Sequence, residues 1–495
     1  MKKSLRPGLV ICILGLASLA LLLGRCALDP RPDAGTSTAL ATATASARPT
    51  DSPLPPSATP SATATNTPSP TPTPTAPPIY GAEMNRISPE RGLDLARPAG
   101  LYWLRYNGLR WADVEATRGT YDWEKVADLE TQLQAAYEAG LQTILIVRRT
   151  PEWAQKVPGS FCSAPRPEAL QDLANFLAEA VNRYKDPPFG VKYWELGNEP
   201  DVDPRLVAPD GGFGCWGDEQ DTYYGGEYYG QILQAIYPAI KAADPEAQVL
   251  IGGLLLDRDP AVDEHPNPPA RFLEGILRGG GGDFFDLVSF HSYVPYDGQL
   301  HDWETTLPNW AQRGGTLPGK VDFLREVLAG YGYDKPLMVT EAGILCRDCP
   351  SPAPDDFLQA QAAYLPRLYV RSMAMGLEAA IWYTLNGPGW RQGGLLDENQ
   401  QPRPAYEALR ALTSLLAEAQ YLGPLEQFAG LEGHAFRRPD AETEVWVLWA
   451  PDDQEVTIEL PAGMQQAYDL AGTPLAPQNG SLDVGFAPVY LRVSP

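Results

Sequence analysis

The 495-residue sequence is poor in the residues from which metal and phosphate sites are built. Its four histidines, His265, His291, His301 and His434, are scattered, and no HExxH pair occurs, so there is no metal site to expect. Of six cysteines only Cys346 and Cys349 stand close together. A single CxxC without a second speaks against zinc and leaves a redox motif or a small disulfide staple. Cys162 and Cys215 lie in Gly/Pro-rich segments and are free to bridge if the protein is exported. No Gly-rich phosphate loop follows an early strand. The run Gly279 to Gly282 follows a helical pattern and reads as a turn, so no nucleotide cofactor is implied. Basic residues are scarce as well: 38 Lys and Arg against 62 Asp and Glu leave a net charge of −24. That balance excludes nucleic acid and anionic membrane surfaces as main partners.

What the chain has in excess is proline, 50 of 495 residues, against a usual share of about 5%. It is densest near the N-terminus, where residues 1–78 hold 14 of the 50. Lys2, Lys3 and Arg6 precede the apolar run Leu9 to Gly24, the order of a secretory signal, and residues 1–34 are assigned to a signal peptide or membrane anchor. Leu22-Leu23-Gly24-Arg25-Cys26 resembles a lipoprotein box, although Arg25 stands where that motif wants a small residue, so cleaved, retained and lipidated forms all stay open. Residues 35–78 are almost entirely Thr, Ala, Ser and Pro and are expected to be an extended, disordered linker. At about 3 Å per residue it reaches on the order of 100 Å, which suits a domain held off an extracellular or cell surface. Membrane contact is expected through this N-terminal segment alone, and a monomer is expected.

From residue 79 to 418 short apolar runs alternate with amphipathic stretches. Eight candidate strands begin at Ile79, Leu101, Thr143, Lys192, Gln248, Leu287, Leu337 and Ala379. Eight strand–helix units over about 340 residues have the count and length of a (β/α)8 TIM barrel, whose functional groups belong at the C-terminal strand ends. Two of those ends carry carboxylates where the interior of a parallel strand is apolar: Glu199 in WELGNEP after strand four and Glu341 in VTEAG on strand seven. A single such glutamate reads as a cap or an ion pair. Two invite a paired-carboxylate mechanism.

These motifs resemble those of clan A glycoside hydrolases, the retaining barrel enzymes, and the architecture resembles that of family 39 or family 5. The resemblance implies that Glu341 is the nucleophile, Glu199 the acid/base and Asn198 a sugar-binding amide. It further implies that Arg105 steadies the nucleophile, with an interior ion pair to Glu195 as the alternative role. His291 and Tyr293 in FHSY would line the sugar subsite, and Trp382 in IWYTLN would form its aromatic floor. The carboxyl groups are expected about 5 to 5.5 Å apart, the retaining separation, with repulsion between them raising the pKa of Glu199. Trp103, Trp111, Trp153, Trp216, Tyr223, Tyr224 and Trp390 offer flat faces for sugars, and two or three of them are expected to serve as subsites. The Gly-rich loop from Asp201 to Gly226 is expected to shape the cleft.

Residues 419–495 switch to short alternating runs, Thr443 to Trp449, Glu455 to Leu460 and Ala487 to Val493, which predict a small antiparallel β-sandwich. The resulting expectation is an extracellular retaining glycosidase acting on a polysaccharide or oligosaccharide. A transglycosidase using the same glutamates and a non-catalytic glycan-binding protein are the alternatives. Overall acidity favours a neutral glycan over a strongly anionic one.

Overall fold

A computed structural model describes residues 77–439 and 443–494. The segment assigned to export and all but the last two residues of the linker lie outside the described residues. Eight parallel strands form the barrel: β1 (Tyr80–Glu83), β2 (Trp103–Arg110), β3 (Gln142–Arg148), β4 (Tyr193–Asn198), β5 (Gln248–Gly253), β6 (Val288–Pro295), β7 (Leu337–Leu345) and β8 (Ala379–Trp382). Each lies on one of the eight apolar runs read from the sequence. The ladder order is β5-β4-β3-β2-β1-β8-β7-β6, and the ring closes through two parallel bridges, Leu250 with Leu287 and Leu254 with Phe290.

The strands form where both faces can be covered. All nine residues of β7 are buried, as a parallel strand between a filled interior and an outer helix layer requires. The lower interior is filled by Trp103, Ile144, Leu250, Leu287, Met338, Ala379 and Ile381, so the barrel is a packed core that opens only at its mouth. The glycine run after helix Phe272–Arg278 does end that helix. Gly280 takes the left-handed conformation at φ 75°, and its neighbours press on the backbone of Glu227 and Gly230, where a Cβ would clash.

A six-stranded antiparallel sheet follows: β9 (Gln420–Pro424), β10 (Glu432–Arg437), β11 (Glu444–Trp449), β13 (Met464–Tyr468), β14 (Pro474–Leu475) and β16 (Val489–Val493), in the order β14-β13-β16-β11-β10-β9. A hairpin of β12 (Val456–Glu459) with β15 (Ser481–Val484) accompanies it. Phe436, Val445, Val447, Trp449, Phe486 and Tyr490 belong to the same apolar core as the barrel helices. At this seam the buried Arg367 guanidinium lies 3.8 Å from the centre of the Phe486 ring and donates to the Phe486 and Ala450 carbonyls. Arg371 joins Asp302 to Glu432 of β10. Truncating a buried aromatic residue here costs about 3–5 kcal/mol, so the sheet buttresses the barrel.

Candidate active site

Glu199 and Glu341 meet at the barrel mouth. Gly197 (φ 83°) and Glu199 (φ 56°) both take the left-handed conformation, which turns the chain sharply as it leaves β4. The Glu199 amide donates to the Gly253 carbonyl of β5 at 2.9 Å, which fixes that turn. Glu341 sits mid-strand on β7, in register with His291 of β6. One carboxylate oxygen from each glutamate and a His291 ring nitrogen all lie within 4.8 Å of one another.

Arg105 organises the floor beneath them. Its fully buried guanidinium donates to Glu195 from Nε (2.7 Å) and Nη2 (3.3 Å), and to Asn198 Oδ1 from Nη2 (2.7 Å). Nη1 donates to Glu83 (2.6 Å) and to Glu341 Oε1 (2.5 Å). Arg105 therefore contacts both Glu341 and Glu195, the two partners weighed for it. Glu195 also accepts from Ser289 Oγ (3.0 Å) and Thr340 Oγ1 (3.1 Å), so β2, β4, β6 and β7 are pinned at one point.

Tyr293 donates its hydroxyl to Glu341 Oε2 at 2.5 Å. His291 Nδ1 lies 2.9 Å from Glu199 Oε1 and 3.4 Å from Glu341 Oε2. Its Nε2 is packed against Gly253 so closely that a Cβ there would lie 2.2 Å from it, so residue 253 has room only for glycine. Asn198, 8% exposed, has its oxygen on Arg105 and its amide nitrogen 3.5 Å from the Gly212 carbonyl.

Burial dominates the electrostatics. It raises the Glu199 carboxyl to about 7, with Arg105 and Lys320 pulling down and Glu195 pushing up. The cause is desolvation first, with Glu195 as the acid that adds to it, rather than repulsion from Glu341. Burial likewise lifts Glu83 to about 8 and holds His291 down at about 4, so the imidazole is neutral over most of the pH range. Lys320 is buried beside the site, donates to the Leu255 and His291 carbonyls at 2.8 Å each, and is pushed down to about 8 by burial.

Trp382 requires a correction. Ile381 points into the barrel, so alternation along β8 turns Trp382 outward, where it is fully buried, packs on Tyr364 and donates to the Gly393 carbonyl at 2.8 Å. Tyr383, the next residue, is the strand-eight aromatic at the mouth, with its ring 6.0 Å from that of Tyr293. Trp390 is 51% exposed, and its ring lies 6.2 Å from that of Tyr293. Among the other aromatic candidates Trp103, Trp111, Trp216 and Tyr224 are buried in packing, and Tyr223 is held between Arg271 and Arg278. The loop after Glu199 lies on the site: a Cβ on Gly214 would stand 2.8 Å from the Asn198 amide, and Cys215 is bridged to Cys162. Cys346 and Cys349 form a second disulfide just past β7.

Glu83 and Lys320 did not emerge from the sequence reading. The signal for Glu83 was present, since it is the one charged side chain in the apolar run of β1. Lys320 gave none, lying on helix Thr316–Gly330 with its burial set by distant contacts. Glu199, His291 and Glu341 are the one group among the described residues spaced to hold a metal ion. Arg105 and Tyr293 already donate to the two oxygens of Glu341, so this donor set suits proton transfer and charge stabilisation better than ligation.

The fold recurs in solved glycosidases. A family 39 glycoside hydrolase from Bacteroides cellulosilyticus superposes with a TM-score of 0.64 at 21% identity, over 85% of this chain and 81% of that one. A family 30 subfamily 8 xylanase from Clostridium acetobutylicum gives 0.54 at 14%, over 84% and 96%. A family 51 α-L-arabinofuranosidase from Bifidobacterium longum gives 0.55 at 14%, over 86% and 98%. No curated protein matches the sequence. Residues 75–347, which span the barrel from β1 through β7 and include both Glu199 and Glu341, match the cellulase family, glycosyl hydrolase family 5. The chain belongs to that family and is a glycoside hydrolase of clan A.

Proposed function

We propose that the protein is an extracellular retaining glycosidase that hydrolyses O-glycosidic bonds of a polysaccharide or oligosaccharide by double displacement. The observation that carries this reading is the short separation of two carboxyls in unlike settings. Oxygens of Glu199 and Glu341 lie within 4.8 Å, close to the roughly 5 Å of a retaining pair and short of the span that admits a water between them. Glu341 accepts from Arg105 on one carboxylate oxygen and from Tyr293 on the other, which fixes its orientation. Glu199, lifted to about 7 by burial, holds its proton at neutral and lower pH.

In the first step Glu341 attacks the anomeric carbon while Glu199 gives its proton to the leaving oxygen, forming a glycosyl ester. In the second, ionised Glu199 takes a proton from water, whose oxygen displaces Glu341 from the sugar. Tyr293, flanked by Tyr383 and Trp390, offers a ring wall on which a sugar stacks. The signal-like N-terminus, the Pro/Thr tether and the two disulfides support export and display at the cell surface. A screen on polysaccharides and aryl glycosides, with Glu199→Gln and Glu341→Gln as controls, tests the proposal. Hydrolysis lost in both variants is the expected result; hydrolysis surviving Glu341→Gln would overturn it.

A further inference from the structure

The barrel mouth holds three arginines that hydrolysis of a neutral sugar does not require. β2 ends in Arg110 and β3 in Arg148, with Arg149 following. Arg110 and Arg148 are register partners on the parallel ladder, so their side chains leave the sheet on the same face. Ile144 fills the barrel interior, and Arg148, four residues on, points to that inner side. The Nε–H of all three residues is buried and meets no acceptor.

Beyond Nε the three are poorly paired as well. Arg148 has no hydrogen-bond or ion-pair partner among the described residues. Arg110 has Asp113 at 3.6 Å on the exposed side, and Arg149 reaches the Asp210 carbonyl at 3.5 Å and the face of Phe161. Arg149 is held in the left-handed region at φ 61°, where a non-glycine residue is strained. Burial and the charges of Arg110 and Arg149 push Arg148 down to about 10, opposed by Glu83 and Asp113. Glu83, one of the charges acting on Arg148, also shares Arg105 with Glu341.

Gathering three cations, one of them partly desolvated, is unfavourable unless an anion joins them. The arrangement is all the more pointed in a chain with 62 acidic residues against 38 basic, which elsewhere supplies carboxylates in abundance. We propose that Arg110, Arg148 and Arg149 form a subsite for an anionic substituent of the glycan, a uronate carboxylate or a sulfate ester, on a sugar seated over the ends of β2 and β3. The inference rests on the glycosidase reading of this cleft and narrows its substrate class. The planar guanidinium fork matches the oxygens of such groups, and the terminal Nη donors of Arg148, which are not buried and meet no acceptor among the described residues, supply the hydrogen bonds.

The test compares glucuronoxylan, polygalacturonate and chondroitin sulfate with their carboxyl-reduced or desulfated counterparts, for hydrolysis by the full chain and for retention by its Glu341→Gln variant. An acidic polymer is expected to outperform its neutralised form by about tenfold or more, and Arg148→Gln to cut that ratio about tenfold. Carboxyl reduction and desulfation separate the two sources of charge. Because Arg148 lacks partners, Arg148→Gln is expected to leave the melting temperature unchanged or raised. Equal performance of acidic and neutralised polymers, or an Arg148→Gln variant that loses stability and all activities alike, would overturn the subsite. Glu341-dependent hydrolysis confined to neutral glycans would sink this inference and leave the glycosidase standing. Retention of acidic polymers through the arginines without any hydrolysis would do the reverse.

Discussion

Replacing Arg105 with lysine isolates what the guanidinium shape contributes, because the charge is kept while the fork is lost. Arg105 makes five short contacts, two to Glu195 and one each to Glu83, Asn198 and Glu341. An ammonium has three donors at one point and cannot reach acceptors spread around a planar group, so at least two contacts go. At about 1.5–3 kcal/mol for a hydrogen bond to a charged partner, the loss is about 3–6 kcal/mol of stability, a large part of the roughly 5–15 kcal/mol of a typical domain. Urea unfolding followed by tryptophan fluorescence reads this directly. Since Glu341 loses its 2.5 Å donor as well, kcat/KM should fall about a hundredfold, from 1.36 kcal/mol per factor of ten. An Arg105→Lys variant within about 1 kcal/mol of the parent in stability and equal to it in kcat/KM would refute the hub argument.

Other expectations follow from the same contacts. Glu199 must be protonated to act, so kcat/KM should fall as the pH rises through about 7, and a pH–rate profile with no such limb would contradict the assignment. The sign extends to stability: the folded chain holds this proton more tightly than the unfolded one, so the contribution is complete below about 4.5 and is lost as the pH rises through about 7. Tyr293→Phe removes the donor 2.5 Å from Glu341 Oε2, and steady-state kinetics should show kcat lower by about tenfold to a hundredfold with KM little changed. Replacing Cys162 and Cys215 with serine opens a loop with a sequence separation of 53 residues, and chemical denaturation should show a loss of about 4 kcal/mol.

The barrel was legible because a parallel strand covered on both faces must be a short apolar run, and each of the eight runs became a strand. The same rule exposed Glu199 and Glu341, whose charge stands out against that background. It failed for Trp382 because β8 has only four residues and the ladder to β7 shifts register between Val339 and Ala342, so the inward face could not be counted from the sequence. The C-terminal strands were legible where alternation is strong, as in β11 and β16. Met464–Tyr468 and Ser481–Val484 are short and half-exposed and carry little pattern. Lys320 and the arginine cluster escaped for another reason. A cation on a helix or at a strand end reads as a solvated charge until the fold shows which acceptors surround it or fail to.

The most direct test of the central claim is the stereochemistry of the first product, read by proton NMR within the first minutes of hydrolysis of whichever substrate the screen yields. The paired glutamates predict that the sugar is released with the anomeric configuration of the bond that was cut. Release of the opposite anomer would contradict the double displacement assigned to Glu341 and Glu199.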